Sequence, residues 1–300
     1  MSFDRAVLGD NQFLGVNHAS QARAAELYER FRNPDAILSV IGAAYEAGVR
    51  DFMFTTHDRY EPVFDEIRRS NLFPGLHYSP CLPYAHKYWD QLSSKGAVGF
   101  LGSTLSRINA FSLVPTGVSL AFGRTRRIVS LLTGLELAMC RDLPLRAVFL
   151  QNAATDFLLS MELDRQLAEF AEAVTRLGAE PGFITMNHPL AAEVLTGRIG
   201  LDRPWLCANY NCGGFRMNPS QAAVERSFAS GRTRNMAMSV FASGNASPKA
   251  ALGYLSQAVA AGSVSAVLFG SANPAHIRHN VETITAMHTA ESRIEPVLQP

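Results

Sequence analysis

Within six residues, Thr55-Thr56-His57-Asp58-Arg59-Tyr60, the chain gathers an imidazole, a carboxylate and a phenol. Groups of these types within hydrogen-bond reach of a carbonyl or hydroxyl can move a proton on or off it, so His57, Asp58 and Tyr60 are candidate acid–base residues. For Asp58 alone, a solvated loop position is the simpler reading. Lys87, next to His86, could stabilise charge or form an imine if desolvated, although a lone lysine in an early helix is more often a surface charge. A second set is rich in amides: Asp10, Asn11, Gln12, Gln151, Asn152, Asn187, Asn209 and Asn211, with Arg216 close behind. Asparagine is poor in strands and costly to bury without partners. Capping of the following helices explains Asn273 and Asn187. Asn152 and Asn209 are expected to stand before the next helix begins. With Asp10, Asn11 and Arg216 they point to a pocket that hydrogen-bonds a neutral, oxygen-rich ligand. His57, His86, Cys81 and Cys212 match no ligand spacing, so no metal site is expected.

The elements that must position these groups are short apolar runs alternating with helical patterns. Strands are expected at Ala6–Gly9, Asp51–Phe54, Gly75–Ser79, Ala147–Leu150, Gly182–Thr185, Trp205–Ala208, Met236–Val240 and Ala266–Phe269. Buried parallel strands read as continuous apolar runs, as AVLF does. Asn33-Pro34 marks a helix start and Gly48 its end, while Leu163, Leu167, Phe170 and Val174 line one face of another helix that stops at Gly178. Eight βα repeats predict one α/β domain over residues 1–300, a closed (β/α)8 TIM barrel. Its active site belongs at the C-terminal strand ends, where the polar residues gather. One stretch, 96–127, fits no plain barrel helix. As an insertion after the third strand it reads as a lid or as a subunit interface in a homodimer, because Phe100, Leu101, Phe111, Leu113 and Val114 need cover.

Composition narrows the partners. The chain has 300 residues, is 47% hydrophobic and carries a net charge of +1 with no long basic run, which argues against nucleic acid. Four cysteines without a CxxC pair, and no signal peptide, suggest a reduced cytoplasmic setting. No apolar stretch nears the ~18 residues of a membrane span. A small-molecule substrate is the expected partner.

The segment AVLFGSANPAHIRHNVETI resembles the eighth strand, loop and helix of the aldo-keto reductases, with Gly270 and Asn280 at the family's spacing. The likeness implies that Gly270, Ser271, Asn273 and Asn280, with Ser239 on the preceding strand, hold an NADP cofactor, whose phosphate suits free N–H groups at a helix start. ITMNHP is similar to the family's fifth strand and puts Asn187 at the nicotinamide carboxamide. AAYEAGVRDF and VFLQN are similar to the segments around the second and fourth strands. The family's catalytic set is an Asp and a Tyr around strand 2, a Lys on strand 3 and a His on strand 4. Here the matching positions hold Met53 or Thr55 and Asp58 or Tyr60, no lysine before Lys87, and Asn152; the arginine that clasps the 2′-phosphate is replaced by Ala272. Two readings follow. One is an NADP(H)-dependent oxidoreductase that reduces a polar carbonyl compound, with Tyr60 as acid helped by His57 or Lys87. The other is a non-redox lyase, epimerase or hydrolase acting on a sugar-like or phosphorylated metabolite.

Overall fold

The computed structural model describes residues 3–16, 20–83 and 125–287. Lys87 and residues 96–124 of the inserted stretch lie outside them, and 125–127 open the helix Thr125–Glu136. Eight parallel strands close in chain order: β1 (Ala6–Leu8), β2 (Asp51–Thr55), β3 (His77–Leu82), β4 (Ala147–Leu150), β5 (Glu180–Thr185), β6 (Trp205–Asn209), β7 (Arg234–Met238) and β8 (Ala266–Phe269). Closure runs through Ala6↔Val267, Val7↔Leu268 and Leu8↔Phe269. The fold is a (β/α)8 barrel with a long connection after β3.

All eight expected strands form, and their limits shift for local reasons. β7 ends at Met238 rather than Val240 because Ser239 turns into the left-handed region, φ 54°. β3 does not stop before Pro80. Its pairing with β2 is unbroken from Asp51↔His77 to Thr55↔Cys81. Alternate residues of a parallel strand bond to opposite neighbours, and Tyr78, which bonds Pro144 and Arg146, sets Pro80 toward β4. The ring lacks the N–H that ladder needs. Pairing there breaks between Tyr78↔Leu145 and Cys81↔Phe149, with one more residue on the β4 side.

The period of two along each strand sorts the side chains. Phe52, Phe54, Val148, Leu150, Leu206 and Ala208 face the helices. Val7, Met53, Cys81, Phe149, Ile184, Trp205, Cys207 and Met236 fill the barrel interior, over Phe3 at its base. At that base, fully buried Asp51 is ion-paired to Arg146 Nε, and Arg146 Nη2 lies 2.9 Å from His77 Nδ1.

Two features were not legible beforehand. A helix at Gln21–Arg30, capped by Ser20, precedes the expected Pro34–Glu46 and reaches the β8 loop, where Arg30 Nη2 donates to the Ala272 carbonyl at 3.2 Å. His188 is fully buried between Ser227 Oγ and Asn235 Oδ1, each at 2.9 Å. Burial is the main cause that lowers its pKa to about 4. The folded state therefore binds fewer protons than the unfolded state between that value and 6.5. Stability is expected to fall by up to about 3 kcal/mol as pH drops through this window. Urea titrations at pH 7 and pH 4.5 should show the loss, and His188→Gln should reduce it.

Candidate active site

The C-terminal strand ends open into a cavity of about 1280 Å³ that all eight strands border and that extends to the helix Pro274–Thr285. A buried carboxyl lines the cavity: Asp10, two residues beyond β1 and 7% exposed. Carboxylate oxygen Oδ2 accepts the Thr55 N–H at 2.7 Å and the Tyr60 hydroxyl at 3.1 Å. Desolvation outweighs these bonds, together with those from the Asp10 N–H and the Thr55 hydroxyl, and raises the carboxyl to about 6. Thr55 is the last residue of β2 and pairs with Cys81 of β3, which brings the Cys81 thiol to the same floor. Burial, then the neighbouring Asp10 and Cys207, push that thiol well above its usual range, so it is a poor nucleophile.

Tyr60 does not line this cavity. It is fully buried among Phe52, Phe54 and Phe64, and its hydroxyl donates to Asp10 Oδ2. Burial, then the Asp10 charge, push the phenol well above the usual tyrosine range. His57 and Asp58 are exposed and outside the cavity wall; His57 Nδ1 accepts the Arg59 N–H at 3.1 Å and caps the turn Asp58–Tyr60. The acid–base trio read from the sequence is thus not assembled at the cavity. Asp10 occupies the position where a proton could be exchanged.

The amide set fares better. Asp10, Asn11, Asn152, Asn209 and Arg216 all line the cavity. Asn209 does so because it follows the interior residues Trp205 and Cys207 in the same phase of the pleat. Asn152 corrects an expectation, since it is the first residue of helix Asn152–Ser160 rather than a residue ahead of it. Asn187 caps the helix His188–Glu193 through Leu190 N at 3.3 Å and is not in the wall, where Met186 stands. Below it, Asp156 braces the end of β5 by bonds from Thr185 Oγ1 at 2.5 Å and Met186 N at 2.9 Å.

Ser239, Gly270, Ser271, Asn273 and Asn280 form the far wall. Asn273 caps the helix Pro274–Thr285 through Ala275 N, and His276, His279, Asn280 and Thr283 share its cavity face at helical spacing. Phe241-Ala242, after β7, passes from a right-handed to a left-handed conformation, and the Ala242 N–H donates to the Ser239 carbonyl at 2.8 Å. Arg23 and Arg30 come from the unforeseen helix. Gln12 and Gln151 each keep an Oε1 that is buried without a partner, and both border the cavity. Gln12 Nε2 is committed to the Gly9 carbonyl at 2.7 Å, which leaves Oε1 against Gly270, where a Cβ would come within 2.6 Å of it. Among the described residues no group of three or more His, Cys, Asp or Glu could hold a metal, and no helix is long and apolar enough to cross a membrane.

These features define a closed (β/α)8 barrel in which a polar cavity covers the strand ends. No family model and no curated protein matches it. Among solved structures, one described as "Putative aldo-keto reductase from Pseudomona aeruginosa" superposes over 95% of this chain and 90% of its own, with 14% identity and a TM-score of 0.57. A second of similar description gives 14% and 0.55 over 95% and 91%. The apo form of Gox0644 gives 12% and 0.52 over 98% and 95%. At these identities the likeness is one of fold.

Proposed function

We propose that this chain is an oxidoreductase of small-molecule metabolism that binds NADP(H) along β7, β8 and the helix Pro274–Thr285 and reduces a polar carbonyl compound beside Asp10. The observation that carries the reading is the continuity of one cavity from a carboxyl poised for proton transfer to the polar face of the helix Pro274–Thr285. The far wall fits the cofactor: Ser271, Asn273, His276, His279 and Asn280 offer polar atoms, and Arg23 and Arg30 offer positive charge. A bound nicotinamide supplies hydride-transfer chemistry. Asp10 gives its proton to the substrate oxygen as negative charge develops there, a task suited to a pKa of about 6. Tyr60 donates to Oδ2 and so orients the carboxyl toward the cavity. Asn209 Oδ1, unpartnered among the described residues, and Gln151 Oε1 accept hydrogen bonds from substrate.

Calorimetry with NADPH is the first test, with saturable binding expected. Tyr60→Phe is expected to raise the midpoint of the pH–rate profile above about 6, because the phenol's bond favours the carboxylate. An unmoved midpoint would reduce Tyr60 to packing. One observation favours a second reading: among the described lining residues no lysine accompanies Asp10. A lone carboxyl of this pKa serves equally as base in a lyase or epimerase step. Absence of NADPH and NADH binding would select it.

A further inference from the structure

The loop that follows β6 is held in one shape by buried amides. Asn211, fully buried, donates from Nδ2 to the Phe215 carbonyl at 3.0 Å and accepts the Phe215 N–H at 2.8 Å. Asn209, 2% exposed, donates from Nδ2 to the Arg216 carbonyl at 3.2 Å. Met217 is buried, and Asn218 N donates to the Met186 carbonyl at 3.2 Å. The result fixes Arg216 at φ 53°, in the left-handed region. A residue with a Cβ is strained there, whereas Gly214, two positions earlier, adopts φ 64° without that strain. An arginine thus occupies a position where glycine would be free, and its side chain is what the strain secures.

That side chain is exposed on the cavity wall. Its guanidinium lies 5.1 Å from the Phe215 ring centroid and has no hydrogen-bond or ion-pair partner among the described residues. The neighbouring wall from β4 and β6 is neutral amide: Gln151, Asn152 and Asn209. We propose that Arg216 receives an anionic group, a carboxylate or a phosphate, carried by the substrate. The ligand is then polar and charged, rather than the neutral one that the amides alone suggested. A planar guanidinium suits either oxyanion by paired N–H donors. The proposal deepens the reading of this cavity as an active site and rests on it.

The test compares matched carbonyls with NADPH: succinic semialdehyde against butanal for carboxylate, and glyceraldehyde 3-phosphate against glyceraldehyde for phosphate. Calorimetry with unreactive succinate, glycerol 3-phosphate and glycerol runs alongside and needs no turnover. Wild type is expected to favour one anionic member by about tenfold to a hundredfold in kcat/KM, the range for a charge-assisted hydrogen bond. Arg216→Gly should abolish the preference, leave NADPH affinity unchanged and not lower Tm, because glycine relieves the strained φ. Arg216→Lys should recover part of it. Equal use of both members, a preference that survives Arg216→Gly, or a loss of NADPH affinity in that variant would each overturn the proposal. If no carbonyl reacts but anion binding depends on Arg216, the proposal stands and the redox reading falls. If neither turnover nor anion binding is seen, the proposal falls.

Discussion

Asp10→Asn is expected to lower kcat/KM for carbonyl reduction by roughly 10²–10⁴-fold, the usual worth of a positioned acid, while NADPH affinity stays unchanged. The amide can still accept from Thr55 N and Tyr60, so the geometry survives and only the proton is lost. Wild-type kcat/KM should decline as pH rises through about 6, because the protonated carboxyl is the donor. Stability moves the other way from activity in this variant. The folded pKa lies above the unfolded value of 3.8, so the folded protein gains from protonation and loses that gain as pH rises from 3.8 through about 6. Above that window the buried charge costs about 3 kcal/mol, which Asp10→Asn removes. A higher Tm at pH 8 together with lost turnover is the expected signature. Full activity in Asp10→Asn would sink the proposed chemistry.

Arg146→Met is expected to destabilise the fold by about 3–5 kcal/mol, read as a lower urea midpoint at unchanged slope. Asp51 has no exposed surface, and its oxygens are taken by Arg146 Nε and by Asp4 N at 2.8 Å. Burial already raises the Asp51 carboxyl, offset by the Asp4 N–H and the Arg146 charge. Loss of the cation leaves a buried carboxylate that must stay unpaired or take a proton. The deficit should therefore shrink as pH falls, since the carboxyl binds its proton more readily in the folded variant than in the unfolded chain. A second change, Asp51→Asn in the Arg146→Met background, should restore part of the loss, because the two residues are in contact. Turnover at 25 °C should not change, since the pair sits at the start of β2 and β4, at the end of the barrel opposite the cavity. A loss below about 1 kcal/mol would mean that the base relaxes enough to solvate Asp51.

Alternation of short apolar runs with helix-period segments determined the barrel, because parallel strands buried on both faces must be apolar and must return through helices. The β4 and β8 runs, AVFL and AVLF, carry their limits locally, since each is bounded by polar residues or glycine. Asn33-Pro34 and Asn273-Pro274 carried their caps for the same reason. The candidate cavity's lining was also legible: Asp10, Asn11, Asn152, Asn209, Arg216 and the Gly270–Asn273 loop all stand at it. Which of the polar groups could do chemistry was decided by tertiary structure. Asp10 and Tyr60 lie fifty positions apart, and their bond exists only because β1 and β2 are neighbours in the closed sheet. Pleat parity put Asn209 into the cavity, and a cap bond tied Asn187 to its helix. Desolvation made Asp10 a carboxyl near 6 and made Tyr60 its support, which no spacing of residue types conveys. Periodicity is a local property of the chain, whereas burial and charge contact are set by elements distant in sequence. The sequence therefore determined the scaffold and the residues at its strand ends, and only the packed barrel decided which of them are buried, bonded or exposed to the cavity.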